Sequence, residues 1–137
     1  MSDDYQIIER PPTLEEYAFI TRAVGWEPYT NFDSVELALK NSIYHIVTLY
    51  RGQIVGMARI VGDGAIFYYI QDVSVIPDHQ GHGIGQRMMA YLMAWLENHA
   101  LSRAFIGLFA TEGHDDFYRH YGFAESATLT GMFQWVK

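Results

Sequence analysis

The chain has 137 residues, half of them hydrophobic, no cysteine, and a formal charge of -7 from 9 Lys and Arg against 16 Asp and Glu. That length buries a core without covalent staples, so residues 1–137 are read as one domain. The missing thiols exclude a disulfide framework, a thiolate metal site and a cysteine nucleophile. The acidity argues against nucleic acid or an anionic membrane surface as partner and suits a cationic small molecule better. Met1 to Arg10 has no apolar signal core, and no run of about 18 apolar residues occurs anywhere, so a cytoplasmic protein is expected.

Tyr5 to Glu9 suits a short edge strand, closed by Pro11-Pro12, which continues neither ladder nor helix. Thr13 and Glu16 stand at capping-box spacing, and Leu14, Tyr17, Ala18 and Val24 recur on one face until Gly25, which predicts a helix over Leu14 to Val24. Trp26 to Asn31 reads as a loop. Asp33 and Glu36 then repeat the capping spacing before a brief helix from Ser34 to Lys40. From Ile43 the period changes. Ile43 to Tyr50, Gln53 to Val61 and Ala65 to Val75 are rich in β-branched and aromatic residues, separated by Arg51-Gly52 and by Gly62-Asp63-Gly64, which predicts a three-stranded meander.

Ile84, Met88, Leu92, Trp95 and Leu96 keep helical spacing within a helix expected from Gly83 to Ala100. Ala104 to Ala110 fits a buried strand, parallel to the third strand of the meander if the long helix is its crossover. Asp115 to His120 is a short helix, and Met132 to Val136 a last strand. The order β-α-α-β-β-β-α-β-α-β implies an α/β fold of mixed, mostly antiparallel sheet flanked by helices. No repeat or low-complexity stretch interrupts it.

Between the third meander strand and the long helix lies Gln80-Gly81-His82-Gly83-Ile84-Gly85. A glycine-rich loop that opens a helix suits an anion, because the first helical N–H groups lack intrahelical partners and the macrodipole is positive there. Two phosphate motifs fail. Gln86-Arg87 follows Gly85 where a P-loop needs Lys and then Ser or Thr, and Gln86 stands where the dinucleotide fingerprint needs its third glycine.

The pattern met is Q-x-x-G-x-G, through Gln80, Gly83 and Gly85, and with Phe117-Tyr118-Arg119-His120-Tyr121-Gly122-Phe123 farther on the chain resembles the GCN5-related N-acetyltransferase family over almost its whole length. The resemblance implies that acetyl-coenzyme A is the co-substrate, with no metal. It implies that Gln80, Gly81, His82, Gly83, Ile84, Gly85 and Gln86 hold the pyrophosphate, and that Val73 and Val75 offer backbone groups to the pantetheine arm and thioester. Tyr118 is then the acid that protonates the leaving thiol, a step open to a phenol within hydrogen-bond reach. Asp72 is the expected base for the incoming amine, with Glu112 and His114 as alternatives. The chain departs from the family at Ala110-Thr111-Glu112-Gly113-His114, where many relatives carry an asparagine that contacts the cofactor.

The resemblance also places the acceptor among aromatic residues of the first interhelical loop and the third meander strand, here Trp26, Tyr29 and Tyr69, with Phe32 and Tyr68 close by. Neither cysteine nor a G-x-S-x-G elbow is present for a covalent acyl-enzyme, so direct transfer to a small primary amine is expected. A protein N-terminus or lysine is the alternative acceptor, and a non-catalytic acyl-coenzyme A sensor the alternative function. The apolar C-terminal segment Met132 to Val136 adds the expectation of a homodimer.

Overall fold

The computed structural model describes residues 4–137. Strand β1 (Tyr5–Ile8) is followed by helices α1 (Leu14–Ala23) and α2 (Val35–Lys40), then by β2 (Tyr44–Tyr50), β3 (Gln53–Gly62) and β4 (Phe67–Val75). Helix α3 (Ile84–His99), strand β5 (Phe105–Gly107) and helix α4 (Asp115–Arg119) complete the order. The sheet runs β1-β2-β3-β4-β5; every pair is antiparallel except β4 with β5, which α3 connects as a parallel crossover. The α/β architecture is the expected one.

Helix α3 covers one face, burying Ile84, Met88, Met89, Leu92 and Leu96 against Ile46, Val55, Ile60, Tyr68 and Ile70 of the sheet. On the other face α1 and α2 set Tyr17, Ile20, Val35 and Leu39 against Val47, Ile54 and Met57. The helices thus clamp the sheet from both sides and leave the ends of β4 and β5 free to build a site. Among the described residues no helix is long and apolar enough to cross a membrane.

Local chemistry accounts for most boundaries. The Thr13 hydroxyl accepts from the Glu16 N–H at 3.1 Å and the Glu16 carboxylate accepts from the Thr13 N–H at 2.9 Å, the predicted capping box. Arg51 and Gly52, with φ of 48° and 83°, make the tight β2–β3 hairpin. β4 begins at Phe67, two residues later than predicted, because the Asp63 carboxylate accepts the N–H groups of Ala65, Ile66 and Phe67 at 2.8, 2.9 and 3.1 Å and holds them in a turn.

Four expectations are corrected. The buried face of α1 is Tyr17, Ile20 and Thr21, while Leu14, in its first turn, is exposed. Asp33 caps nothing: a 3-10 turn over Phe32–Ser34 precedes α2, and the Ser34 N–H is taken by the Asn31 carbonyl at 3.1 Å. β5 pairs over only three residues because β4 diverges from it past Tyr69. No strand forms over Met132–Val136; Gly131 packs on the ring of Phe109 rather than on the β5 backbone, and the residues beyond it are exposed.

Candidate active site

The site begins with a fault in the sheet. Met57 pairs with Ser74 and Arg59 with Gln71, so Asp72 and Val73 together face the single residue Ala58, a β-bulge. Asp72 adopts φ of 61°, a left-handed conformation that aspartate tolerates better than most residues. Its carboxylate turns away from the sheet end: Oδ2 accepts from Arg59 Nε at 2.7 Å and from the Tyr17 hydroxyl at 2.8 Å, and the side chain is 7% exposed against 14% for Arg59. Arg59 also reaches Ser42 Oγ at 2.9 Å. Burial, and then the Asp72 charge, push the Tyr17 phenol well above its ordinary pKa. The network braces the bulge from the α1 face.

Past the bulge, β4 has no β5 neighbour, since their pairing stops at Tyr69 and Gly107. The chain then turns through Pro77–His79 into the glycine loop. Gln80 Nε2 donates to the Val75 carbonyl at 2.9 Å and ties the loop back to β4. Gly81 and Gly83 sit at φ of 82° and 77°, where a Cβ would be strained, and α3 starts at Ile84 with no side chain capping its first turn. The opening N–H groups of a four-turn helix therefore point from a glycine-lined approach, which fits an anionic group. Gly85 has another task. A Cβ there would lie 3.3 Å from the Phe117 ring, so this glycine lets α4 pack against α3.

These pieces enclose a cleft of about 640 Å³ between the end of β4, the glycine loop, the Thr111–His114 loop and α4. Tyr118 stands in its wall, half-buried and edge-on to Phe117 at 5.0 Å between centroids. Burial raises its pKa, which keeps the phenol protonated and able to donate. Across the loop Thr111 Oγ1 and His114 Nδ1 are 3.0 Å apart, with Glu112 beside them in the wall. The Tyr5 hydroxyl, from β1, holds His79 Nδ1 at 2.7 Å beside the glycine loop.

A glycine loop on an uncapped helix, an interrupted strand edge and a half-buried phenol now share one cleft. The acetyltransferase (GNAT) family model matches residues 6–123. The chain belongs to that family. The uncharacterised N-acetyltransferase ycf52-like of Prochlorococcus marinus is 31% identical over 80% of this chain and 61% of its own length. Histone acetyltransferase TAP1 of Glycine max is 29% identical over 97% of this chain and 68% of its own length. The chain therefore spans about two thirds of these curated relatives. A GNAT-family acetyltransferase of Streptococcus pneumoniae superposes with a TM-score of 0.79 at 32% identity, covering 97% of this chain and 98% of that one. An acetyltransferase of Clostridium acetobutylicum solved with acetyl-coenzyme A has the same fold, with a TM-score of 0.67 at 16% identity over 93% of this chain and 96% of that one.

Within this GNAT cleft the structure brings together Val73, Val75, Gln80, Gly81, Gly83, Ile84, Gly85, Gln86, Trp26 and Tyr118. Four expected residues lie elsewhere. The Asp72 carboxylate is held in its ion pair, on the α1 side of the bulge. His82 rests beside Tyr5 at 6.0 Å between rings, outside the cleft wall. Tyr29 stacks on Trp135 at 5.8 Å, and Tyr69 of β4 packs beside Phe105, outside the cleft wall. Sequence reasoning passed over His79, Ser74, Thr111 and Phe117 as wall residues. For Phe117 the signal was present in its matched segment; for the others no spacing marks them.

Proposed function

We propose that the protein is an acetyl-coenzyme A-dependent N-acetyltransferase that passes acetyl directly to a primary amine of a small molecule, as a homodimer. The observation that carries this reading is the convergence of the uncapped α3 N-terminus, the Val73 bulge and Tyr118 on one cleft. Acetyl-coenzyme A, when bound, supplies an activated acyl group and a thiol that can leave.

The N–H groups from Gly81 to Gln86 bind the phosphates, with the positive end of α3 behind them. The bulge leaves Val73 out of register with β3, and its N–H is assigned to the thioester carbonyl, where it stabilises the negative charge that builds during attack. Tyr118 Oη gives its proton to the departing sulfur. With the Asp72 carboxylate engaged by Arg59, the base is assigned to His114 in the tautomer whose Nδ1–H donates to Thr111 Oγ1, 3.0 Å away, so that the Nε2 lone pair takes the amine proton. Trp26 forms the acceptor end of the wall, and the acidic chain favours a cationic amine. A protein lysine is the second reading, favoured by the printed name of the Glycine max relative.

The deciding experiment measures thiol release from acetyl-coenzyme A across a panel of polyamines, amino sugars and peptides, with Tyr118→Phe as control. Release with a small amine, lost in the variant, is expected. Tight cofactor binding with no release on any acceptor would make the protein a sensor, and release on peptides alone would move the acceptor to proteins.

A further inference from the structure

Ser74 stands in the cleft wall two residues after Asp72, and its hydroxyl donates to the Asp72 carbonyl at 2.9 Å. It is 7% exposed, and past the bulge the ladder around it is continuous: Ser74 pairs with Met57, Val75 with Gly56, and the Ile76 N–H donates to the Val55 carbonyl at 2.9 Å. A Cβ on Gly56 would lie 3.1 Å from the Ser74 carbonyl oxygen, so that glycine lets β3 close up on this residue. The hydroxyl therefore acts from a fixed point.

The carbonyl it holds is one half of the peptide group that joins Asp72 to Val73, and the other half is the Val73 N–H. No cis peptide bond occurs among the described residues, and in a planar trans unit the C=O and N–H point in opposite directions, so fixing one aims the other. A bulge residue has no ladder partner of its own to set that plane. Here the plane is set at two places. The Asp72 carboxylate, held by Arg59 Nε at 2.7 Å and the Tyr17 hydroxyl at 2.8 Å, anchors the residue in its left-handed conformation, and Ser74 Oγ anchors the oxygen. A hydrogen bond accepted at the carbonyl also polarises the unit and makes its N–H a stronger donor.

A buried hydroxyl bonded to a nearby carbonyl is ordinarily no more than a satisfied polar group. Two facts set this one apart. Alanine would fill nearly the same space with no polar atom to satisfy, and the bond falls on the single peptide unit whose N–H is assigned to the thioester. We propose that Ser74 is a positioning residue for acetyl transfer: its hydroxyl clamps the peptide group between Asp72 and Val73 so that the Val73 N–H meets the thioester carbonyl. This rests on the Val73 N–H being the thioester donor. Ser74 moves no proton itself; it sets the aim and the polarity of a donor that matters most as negative charge builds on the carbonyl oxygen.

The test uses the full chain and isotope-edited infrared spectra of acetyl-coenzyme A labelled at its carbonyl carbon. Bound to the wild type, the thioester carbonyl should absorb at lower wavenumber than the free cofactor. Ser74→Ala should reverse most of that shift and lower kcat about 10-fold, a fraction of the roughly 100- to 1,000-fold that losing a whole donor costs. Acceptor KM, coenzyme A affinity and thermal midpoint should stay close to wild type. In the ligand-free protein the carbonyl carbon resonance of Asp72 should move upfield in Ser74→Ala, and Ser74→Thr, which keeps the hydroxyl on a residue suited to strands, should regain the resonance, the infrared band and kcat. A wild-type band and kcat in Ser74→Ala overturns the clamp. So does a loss of thermal stability or coenzyme A affinity that matches the loss of rate, since that marks a packing role, and so does a threonine that regains the resonance without the band. A wild type that leaves the bound thioester at its free position lacks the donor altogether, and the proposed function then fails together with the clamp.

Discussion

Asp72 looks like a base in the sequence and acts as a brace in the structure. A carboxylate on the strand next to the thioester is where proton abstraction is sought, but its positive φ and its two partners, Arg59 and Tyr17, are invisible without the sheet and α1 in place. Asp72→Ala should cost about 3 kcal/mol in denaturant unfolding, because it strands the buried Arg59 charge. Asp72→Asn, which tolerates the left-handed conformation and keeps an oxygen to accept from Arg59 and Tyr17 while losing the charge, should cost less than the alanine. Tyr118 was legible because its segment carries a motif. Tyr118→Phe should lower kcat roughly 100-fold with little change in the cofactor KM. Since burial raises the phenol, wild-type kcat should hold through about pH 9, as measured in a saturating pH-rate profile. His114→Ala should lower kcat on amines about 10-fold or more, measured at saturating acetyl-coenzyme A.

At the scale of elements, those specified by their own residues were predicted and those specified by neighbours were not. The capping box at Thr13 and the Arg51-Gly52 hairpin are local, so spacing revealed them. Thr13→Ala should cost about 1 kcal/mol, seen as a lower thermal midpoint with function retained. The short β5, the 3-10 entry to α2 and the unpaired C-terminal segment depend on what stands beside them. Gly85 joins the two levels. Motif reading assigns it to phosphate, and packing adds that α4 rests on it; Gly85→Ala should push the Phe117 ring, shift α4 and weaken acetyl-coenzyme A binding, measured by titration calorimetry.

For the whole molecule, titration sets a stability plateau. The Arg10 guanidinium holds Glu16 below the ordinary carboxylate range, and the backbone N–H groups of Phe67, Ala65 and Ile66 do the same for Asp63. Groups depressed on folding contribute stability above about pH 4 and lose it as the pH falls through their folded values. Tyr17 and Tyr118 are raised by burial, so their contribution is full below about pH 10 and declines above it. Burial likewise holds the His45 imidazole below its ordinary value, so thermal midpoints should be flat between roughly pH 7 and 9 and fall on both sides. What the sequence by itself determined is the order of the elements from β1 to α4, the glycine loop and the segment that carries Tyr118, since these rest on period, capping and motif within a few residues of chain. Tertiary structure alone decided that Asp72 is ion-paired, that Tyr29 and Tyr69 lie outside the cleft, and that the β5 edge stays open. Each of those depends on residues far apart in sequence, whose distance and burial no spacing encodes.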